Sequence, residues 1–264
     1  MKKVLIMAGS DTSGGAGIQA DLKTMEELGV YGMTALTTMV AQNPENNWAH
    51  DVYPIEIDTV KAQLRTILDG IGVDLMKTGM IPTTESIQLA ADTIDQYNLE
   101  AVVDPVLACK GVDEPVHPEN AIALRKILVP KAVITTPNLF EASQLTEMPL
   151  LRTVDEMKEA AKKIHDLGAK NVVIKGGSDI DENKAVDVFY DGSELTVLEG
   201  EVIQSAYTHG AGCTFASAIA GSYVNGKSPR EAVEFAKEFV FNAIKGAEKL
   251  NEYVGSVKQY ANRK

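Results

Sequence analysis

The chain has 264 residues, of which 45% are apolar and 23% charged, and its formal net charge is −12. This length allows one large α/β domain or two small ones. The negative charge argues against a nucleic-acid partner, and no stretch approaches the roughly 18 apolar residues that a membrane span needs. Two cysteines make no disulfide framework and fit a reducing compartment. We therefore expect a cytoplasmic protein that binds neither nucleic acid nor membrane.

Short apolar runs alternate along the chain with segments of helical periodicity. The predicted strands are residues 4–8, 33–40, 75–78, 101–103, 132–135, 171–174 and 186–190. The predicted helices are residues 16–28, 59–69, 84–97, 118–128, 154–167, 214–224 and 229–250. Strands that are apolar on both faces and alternate with helices predict a mostly parallel, doubly wound sheet. Because no repeat or low-complexity linker interrupts the pattern, we interpret residues 1–264 as one α/β domain.

Two local signals refine this prediction. Asp191-Gly192 separates two short apolar runs, and Asp-Gly is a strong signal for a two-residue hairpin turn. We therefore expect an antiparallel pair over residues 184–199 at the edge of the sheet. Ser228, Pro229 and Glu231 form a capping signature at the start of the last helix.

Polar and glycine-rich clusters follow the predicted strands. They comprise residues 9–21, 42–43, 77–80, 104–111, 136–141 and 175–177. Each cluster alone is explained by ordinary loop chemistry. In open α/β sheets, however, ligands bind outside the carboxyl ends of the strands. Six clusters at matching strand ends therefore predict a functional site at that edge of the sheet.

The two common nucleotide-binding motifs do not explain this site. Residues 15–20 fit the pattern G-x-G-x-x-A between a strand and a helix, but five residues separate Gly9 from Gly15. A dinucleotide site also needs an acid near the end of the second strand. No Asp or Glu lies between Glu27 and Glu45, and no Walker P-loop occurs anywhere. Phosphate chemistry must therefore use a different anion site.

The segment Gly210-Ala-Gly-Cys213 is the best candidate for that anion site. It precedes an apolar stretch of helical length, so its backbone N–H groups are expected to open the N-terminus of a buried helix. A cysteine on this first turn is expected to have a lowered pKa and to act as a base or nucleophile. The alternative interpretation is a tight loop with a buried thiol.

Carboxylates near the predicted strand ends favour a magnesium site. Asp104 follows a strand, and Glu141 lies three residues after Asn138 on a new helix. Mg²⁺ prefers hard oxygen ligands and uses one or two carboxylates together with water and phosphates. Asn138 is also expected to cap its helix. Metal binding by His or Cys is not predicted, because the four histidines show no ligand spacing with either cysteine.

These motifs resemble the ribokinase-like superfamily, in particular its branch of hydroxymethylpyrimidine (phosphate) kinases and pyridoxal kinases. The resemblance covers nearly the whole chain and rests on residues 8–23, 77–80, 104–106, 136–141, 175–177 and 208–214. It implies a three-layer α/β/α sandwich with a mostly parallel central sheet and an edge hairpin. It also implies ATP- and Mg²⁺-dependent phosphorylation of a hydroxymethyl group on a heteroaromatic ring, and a homodimer.

The resemblance also implies roles for individual positions. Cys213 stands where sugar kinases carry a catalytic Asp and would take the hydroxymethyl proton. The backbone of Gly210, Ala211 and Gly212 would stabilise the transferring phosphoryl group. Asp104 and Glu141 would hold Mg²⁺. The ring pocket would be lined by Asp11, Ala16, Asp21, Gln42 and Met80. ATP would contact Asn138, Glu141, Lys175, Gly176, Gly177, Ser178, Asp187, Gly212 and Lys237.

The identity of the ring stays open between two substrates. Ala211 and Cys109-Lys110 depart from the pyrimidine phosphate kinases, which read Thr and Lys-Ser at these positions. The Cys-Lys-Gly form, together with Asn47-Trp48-Ala49-His50, looks like the pyridoxal kinases that arose within this branch. Cys109 can add to an aldehyde as a hemithioacetal, and Lys110 can neutralise phosphate, although Cys109 is also explained as a small buried residue. Gln42 is instead the residue with which the pyrimidine enzymes pair ring nitrogen and amine. We favour pyridoxal.

Two other classes of protein fit the sequence less well than a kinase. A non-catalytic vitamin or nucleotide sensor is disfavoured because Asp104, Glu141, Lys175 and Cys213 are all present. A thiol hydrolase would use Cys213 with His209, but His209 precedes the helix and no third residue that would orient it is evident.

Overall fold

A computed structural model of the chain describes residues 1–107, 118–205 and 207–263. The described strands are β1 (Lys3–Asp11), β2 (Tyr31–Asn43), β3 (Ala49–Pro54), β4 (Leu75–Thr78), β5 (Ala101–Val103), β6 (Ile134–Thr135), β7 (Val172–Asp181), β8 (Lys184–Tyr190), β9 (Leu195–Glu201), β10 (Glu248–Lys249) and β11 (Gly255–Ser256). The described α-helices are α1 (Gly17–Glu27), α2 (Ile57–Leu68), α3 (Thr84–Tyr97), α4 (Pro118–Ala123), α5 (Leu139–Thr146), α6 (Val154–Asp166), α7 (Ala211–Val224) and α8 (Pro229–Lys245).

The first nine strands form a single sheet in the order β3-β2-β1-β4-β5-β6-β7-β8-β9. In this order, the six strands β2, β1, β4, β5, β6 and β7 run parallel to one another. At one edge β3 is antiparallel to β2, and at the other edge β8 is antiparallel to both β7 and β9. This confirms the expected mostly parallel sheet with an edge hairpin. Because β2, β1, β4, β5, β6 and β7 are parallel, their carboxyl ends meet at one edge of the molecule.

Helices cover both faces of the sheet, because successive apolar side chains along a strand point to opposite faces and both faces must be buried. Leu5 and Met7 point into a core with α2, α3 and α6, while Val4 and Ile6 point into a second core with α1, α7 and α8. The result is the three-layer sandwich that the resemblance implied. In the part of the chain that the structure describes, no helix is long and apolar enough to cross a bilayer.

Two predicted details of the fold are wrong. The first is the hairpin loop, which has four residues, not two, because β8 ends at Tyr190 opposite Leu195 at the start of β9. The Asp191 carboxylate accepts hydrogen bonds from the Ser193 and Glu194 N–H groups and thereby closes the wider turn.

The second is the last helix, which ends at Lys245 instead of residue 250. Gly246 caps α8, and the returning C-terminal segment donates from Lys258 N to the Ala243 carbonyl.

The strand β3 was not predicted. The capping signature at Ser228 is confirmed, with the side chains of Ser228 and Glu231 each bonding the other residue's backbone.

Candidate active site

The segment Gly210–Cys213 opens the buried helix α7, as predicted. Gly210 is the N-cap with φ of 85°, and a Cβ at this position would overlap the Gly15 carbonyl of the loop after β1. The Ala211 N–H bonds the Thr208 carbonyl, so it faces away from an anion site. Among the described residues, the N–H groups of Gly212 and Cys213 make no backbone hydrogen bond. These two groups therefore form the open part of the helix terminus.

We expect Gly210→Ala to unfold or displace this turn. The left-handed backbone costs an alanine about 1–2 kcal/mol, and the overlap with Gly15 adds to that cost. Gly72→Ala is the matched control, because Gly72 has φ of 77° but a Cβ added there would meet nothing within 4 Å. Urea unfolding should show a much larger loss of stability for Gly210→Ala, and equal losses would contradict the role of the overlap.

Cys213 is half-buried as a residue, and the surroundings of its thiol contradict the predicted low pKa. Burial raises the pKa of Cys213 to about 12, and the carboxylates of Asp21 and Asp104 act in the same direction. The Lys77 ammonium and the Gly17 N–H favour the thiolate but do not outweigh burial. The helix terminus alone therefore does not ionise this thiol.

A buried ion pair lies beneath the first turns of α7. Lys77 Nζ is 2.9 Å from Asp21 Oδ1, both side chains are 0% exposed, and Ser217 Oγ donates to the same oxygen at 2.6 Å. Burial would lower the pKa of Lys77, but the charges of Asp21, Cys213 and Asp104 raise it, so the ammonium is retained. Asp21, predicted in the ring pocket, is placed instead as the buried partner of Lys77.

Asp11 is the centre of a second network, at the end of β1. Its carboxylate accepts hydrogen bonds from Ala16 N at 2.7 Å and from Gln42 Nε2 at 2.7 Å, and it contacts His209 Nε2 at 2.7 Å. Burial would raise the pKa of Asp11, but these bonds and the His209 charge hold it well below its usual range. Asp11 and Ala16, also predicted in the ring pocket, are therefore joined to each other and to Gln42.

Asp104 and Glu141, which follow β5 and β6, form a third cluster with Lys175 of β7. Lys175 Nζ is 3.0 Å from Asp104 Oδ1, which also accepts from Thr136 Oγ1 at 2.8 Å. Asn138 and Glu141 form a capping box, with both bonds at 2.8 Å, which confirms the expected N-cap. Burial raises the pKa of Glu141 to about 7, Lys175 opposes this, and Asp104 adds to it.

The donors in this third cluster suit Mg²⁺. Lys175 pairs with Asp104, and the raised pKa of Glu141 shows that a second negative charge beside this pair is unfavourable, a cost that a cation would relieve. The described residues contain no group of three or more His, Cys, Asp or Glu arranged for a metal. Asp104 and Glu141 therefore fit an ion that keeps waters and shares its coordination with phosphates, as Mg²⁺ does.

The positions predicted to contact ATP lie along β7 and beside it. A Cβ added at Gly212 would lie 3.6 Å from Lys175 Nζ, so the ammonium borders the start of α7. Asp187 accepts from Gly176 N at 3.1 Å and pairs with Lys237 Nζ at 2.6 Å. Asp187 and Lys237 thus fix the backbone where β7 bends, while Gly177 and Ser178 are exposed beyond it.

An open cleft of about 420 Å³ lies at the β3 side of the site. Met80 lines it together with His50 and Val106, as the ring-pocket prediction would place Met80. Gln42 lies next to this cleft, paired with His50 across β2 and β3. Cys109 and Lys110, predicted to act on the aldehyde and the phosphate, lie outside the described residues.

Two residues of these networks, Lys77 and Ser217, had no assigned role in the sequence interpretation, and His209 was considered only as the partner of Cys213 in a thiol hydrolase. A lysine inside an otherwise apolar strand was the available signal for Lys77. His209 lies in the predicted motif, but its ring contacts Asp11 and Ser13, and no contact with the thiol occurs in the described part of the chain. This arrangement gives no support to a thiol hydrolase.

Comparison with known proteins agrees with this geometry. The phosphomethylpyrimidine kinase family matches residues 11–258. A pyridoxine kinase of Bacillus subtilis (strain 168) is 58% identical over 264 residues, which is 100% of this chain and 97% of the relative. The chain therefore belongs to the phosphomethylpyrimidine kinase family.

Solved structures give the same result. The ADP complex of Bacillus subtilis pyridoxal kinase is 58% identical, with a TM-score of 0.96 covering 99% of this chain and 98% of that chain. The pyridoxal kinase from Staphylococcus aureus in complex with AMP-PCP and pyridoxal is 48% identical and has a TM-score of 0.94. The match covers 100% of this chain and 95% of that chain.

Proposed function

We propose that the chain is an ATP-dependent kinase that phosphorylates the 5-hydroxymethyl group of pyridoxal, and of pyridoxine and pyridoxamine, for vitamin B6 salvage. The observation that carries the proposal is the placement of Lys175, Asp104 and Glu141 beside the open N–H groups of α7. The high identity to pyridoxine and pyridoxal kinases supports the same substrate class.

In the proposed reaction, the chain acts mainly by positioning and by stabilising charge. The N–H groups of Gly212 and Cys213, with the Lys175 ammonium, face the transferring phosphoryl group of ATP. Cys213 takes the hydroxymethyl proton as the thiolate, after the bound ligands have changed the charges around it and its own proton has passed to solvent. Mg²⁺, held by Asp104 and Glu141, would neutralise charge on the ATP phosphates. Gly176, Gly177 and Ser178 lie by the nucleotide, where Asp187 and Lys237 fix the backbone.

The alternative substrate is hydroxymethylpyrimidine or its phosphate. A bifunctional enzyme that phosphorylates both kinds of ring is a variant of this alternative. Gln42 favours this alternative, because an amide offers both a donor and an acceptor to an aminopyrimidine ring. On one preparation with MgATP, we expect a higher kcat/KM for pyridoxal and pyridoxine than for either pyrimidine. A preference for a pyrimidine would reverse the assignment, and turnover of none would refute the kinase.

We further propose that residues 1–264 form one kinase domain and that it works in the cytoplasm as a homodimer. The exposed side chains of Met39 and Tyr53, 47% and 53% exposed, are neighbours in the β2–β3 register at the edge of the sheet. Such an apolar pair supports pairing of two copies there. Sedimentation equilibrium of the wild type and of Tyr53→Lys tests this, and a monomeric wild type would refute it.

A further inference from the structure

The carboxylate of Asp11 has no oxygen left for a ligand. Oδ1 accepts from Ser13 N, Ser13 Oγ and Gln42 Nε2, and Oδ2 accepts from Gly15 N and Ala16 N beside the His209 contact. The residue is 4% exposed. Asp11 therefore acts on a ring substrate only through a neighbour.

Gln42 is the neighbour through which it acts. An ionised carboxylate accepts hydrogen bonds only, so the amide group that faces Asp11 at 2.7 Å must be the Nε2 donor. The amide oxygen Oε1 then points to the opposite end, and no described residue donates to it. Asp11 thereby fixes the orientation of the Gln42 amide, a choice that an isolated glutamine leaves open, so that Oε1 and the second Nε2 hydrogen face away from Asp11.

His209 holds the Asp11 carboxylate in place through its second oxygen, Oδ2. Its Nε2 lies 2.7 Å from Asp11 Oδ2, a contact that requires a proton between the two atoms. The His209 backbone is itself held by bonds to Gly255 and Val257 of the C-terminal segment. The network thus joins the ends of β1 and β2 to the turn that opens α7.

We propose, resting on the kinase function above, that Asp11 and His209 are positioning residues that hold the Gln42 Oε1 acceptor toward the ring, where it selects a substrate with an N–H at its edge. A 3-hydroxypyridine ring carries such an N–H in its zwitterionic form, which is abundant in neutral water. A ring with C–H at that position leaves the amide oxygen without a partner, which costs binding energy.

The test compares pyridoxine with its carbocyclic analogue, which has C–H in place of the ring nitrogen. We expect wild-type kcat/KM to favour pyridoxine by about 10- to 100-fold, the range for a hydrogen bond to a charged group. Gln42→Ala and Asp11→Asn should both reduce this ratio severalfold. In the Gln42→Ala background, Asp11→Asn should change the ratio no further, because Asp11 acts through Gln42.

Ser13→Ala is the matched control, because Ser13 Oγ bonds Asp11 but has no described bond to Gln42. It should keep the wild-type ratio even if it lowers stability. Since both ligands are compared on one preparation, a partly folded variant still gives a valid ratio. If Asp11→Asn does not fold, His209→Asn replaces it and should lower the ratio.

Several outcomes separate this proposal from the kinase function. Wild-type turnover of pyridoxine with an unchanged ratio in Asp11→Asn, or in His209→Asn, would overturn the positioning role and leave the kinase intact. An effect of Asp11→Asn that persists without Gln42 would overturn it as well. Absence of wild-type turnover would instead refute the kinase itself.

Discussion

Cys213→Ala should lower kcat by about 10²- to 10⁴-fold, the contribution typical of a general base, while ATP affinity stays close to that of the wild type. The thiol lies on the first turn of α7, beside the open N–H groups, so its loss removes the proton acceptor but keeps the anion site. Steady-state kinetics and titration with an ATP analogue measure the two effects. Near-normal kcat would show that the base is another group.

Cys109→Ala is the control, because it removes the other cysteine of the chain. It should keep turnover of pyridoxine, which has no aldehyde, and weaken turnover of pyridoxal selectively if Cys109 forms a hemithioacetal. Equal losses on both substrates would contradict the hemithioacetal.

The same Cys109→Ala variant isolates the thiol for titration. Burial and the charges of Asp21 and Asp104 raise the pKa of Cys213 to about 12, so alkylation of the ligand-free protein by iodoacetamide should keep rising with pH beyond about 10. A midpoint near neutral pH would instead support the low pKa that the helix terminus suggested. The raised value implies that the thiol is protonated until ligands change the charges around it.

The elements predicted best are those in which local residues mark where the helix or strand begins and ends. Residues 84–97 form α3 as predicted, since Thr83 caps the start and Asn98 takes the left-handed conformation at the end. Residues 101–103 form β5 because they are a short apolar run between Glu100 and Asp104. Residues 75–78 form β4 as predicted, although Lys77 and Thr78 are polar, and the strand pairs with the buried β1. The β3 strand was missed because residues 49–54 are mixed in polarity and end in proline, and pairing with β2 creates it.

The edge of the sheet that carries the candidate site could be predicted from the sequence, but the ion pairs and pKa shifts within the site could not. Polar clusters after parallel strands must meet at one edge, and Lys175 accordingly borders both Asp104 and the start of α7. The pairing of Asp11 with His209, which are 198 residues apart, depends on the tertiary structure. The direction of the Cys213 pKa likewise depends on which distant carboxylates and lysines the fold brings near the thiol.

Lys77→Met should cost about 3–5 kcal/mol of unfolding free energy, the range for breaking a buried ion pair from one side. Both side chains are fully buried, so the substitution leaves the Asp21 carboxylate without its cation, and Asp21 Oδ2 already lacks a partner. Urea unfolding measures the loss. Lys158→Met is the matched control, because Lys158 pairs with Asp155 at the surface and should cost less than about 1 kcal/mol.

The double variant Lys77→Met/Asp21→Leu separates a structural role of this pair from an electrostatic one. Removing both charges should restore most of the stability, since apolar residues often replace a buried ion pair at little cost. Kinase activity should not return, because Lys77 is the cation that favours the Cys213 thiolate against burial. A stable double variant with wild-type kcat would show that the pair only holds β4 against α1 and α7. A stable double variant with low kcat and an even higher thiol pKa would establish Lys77 as the residue that tunes the base.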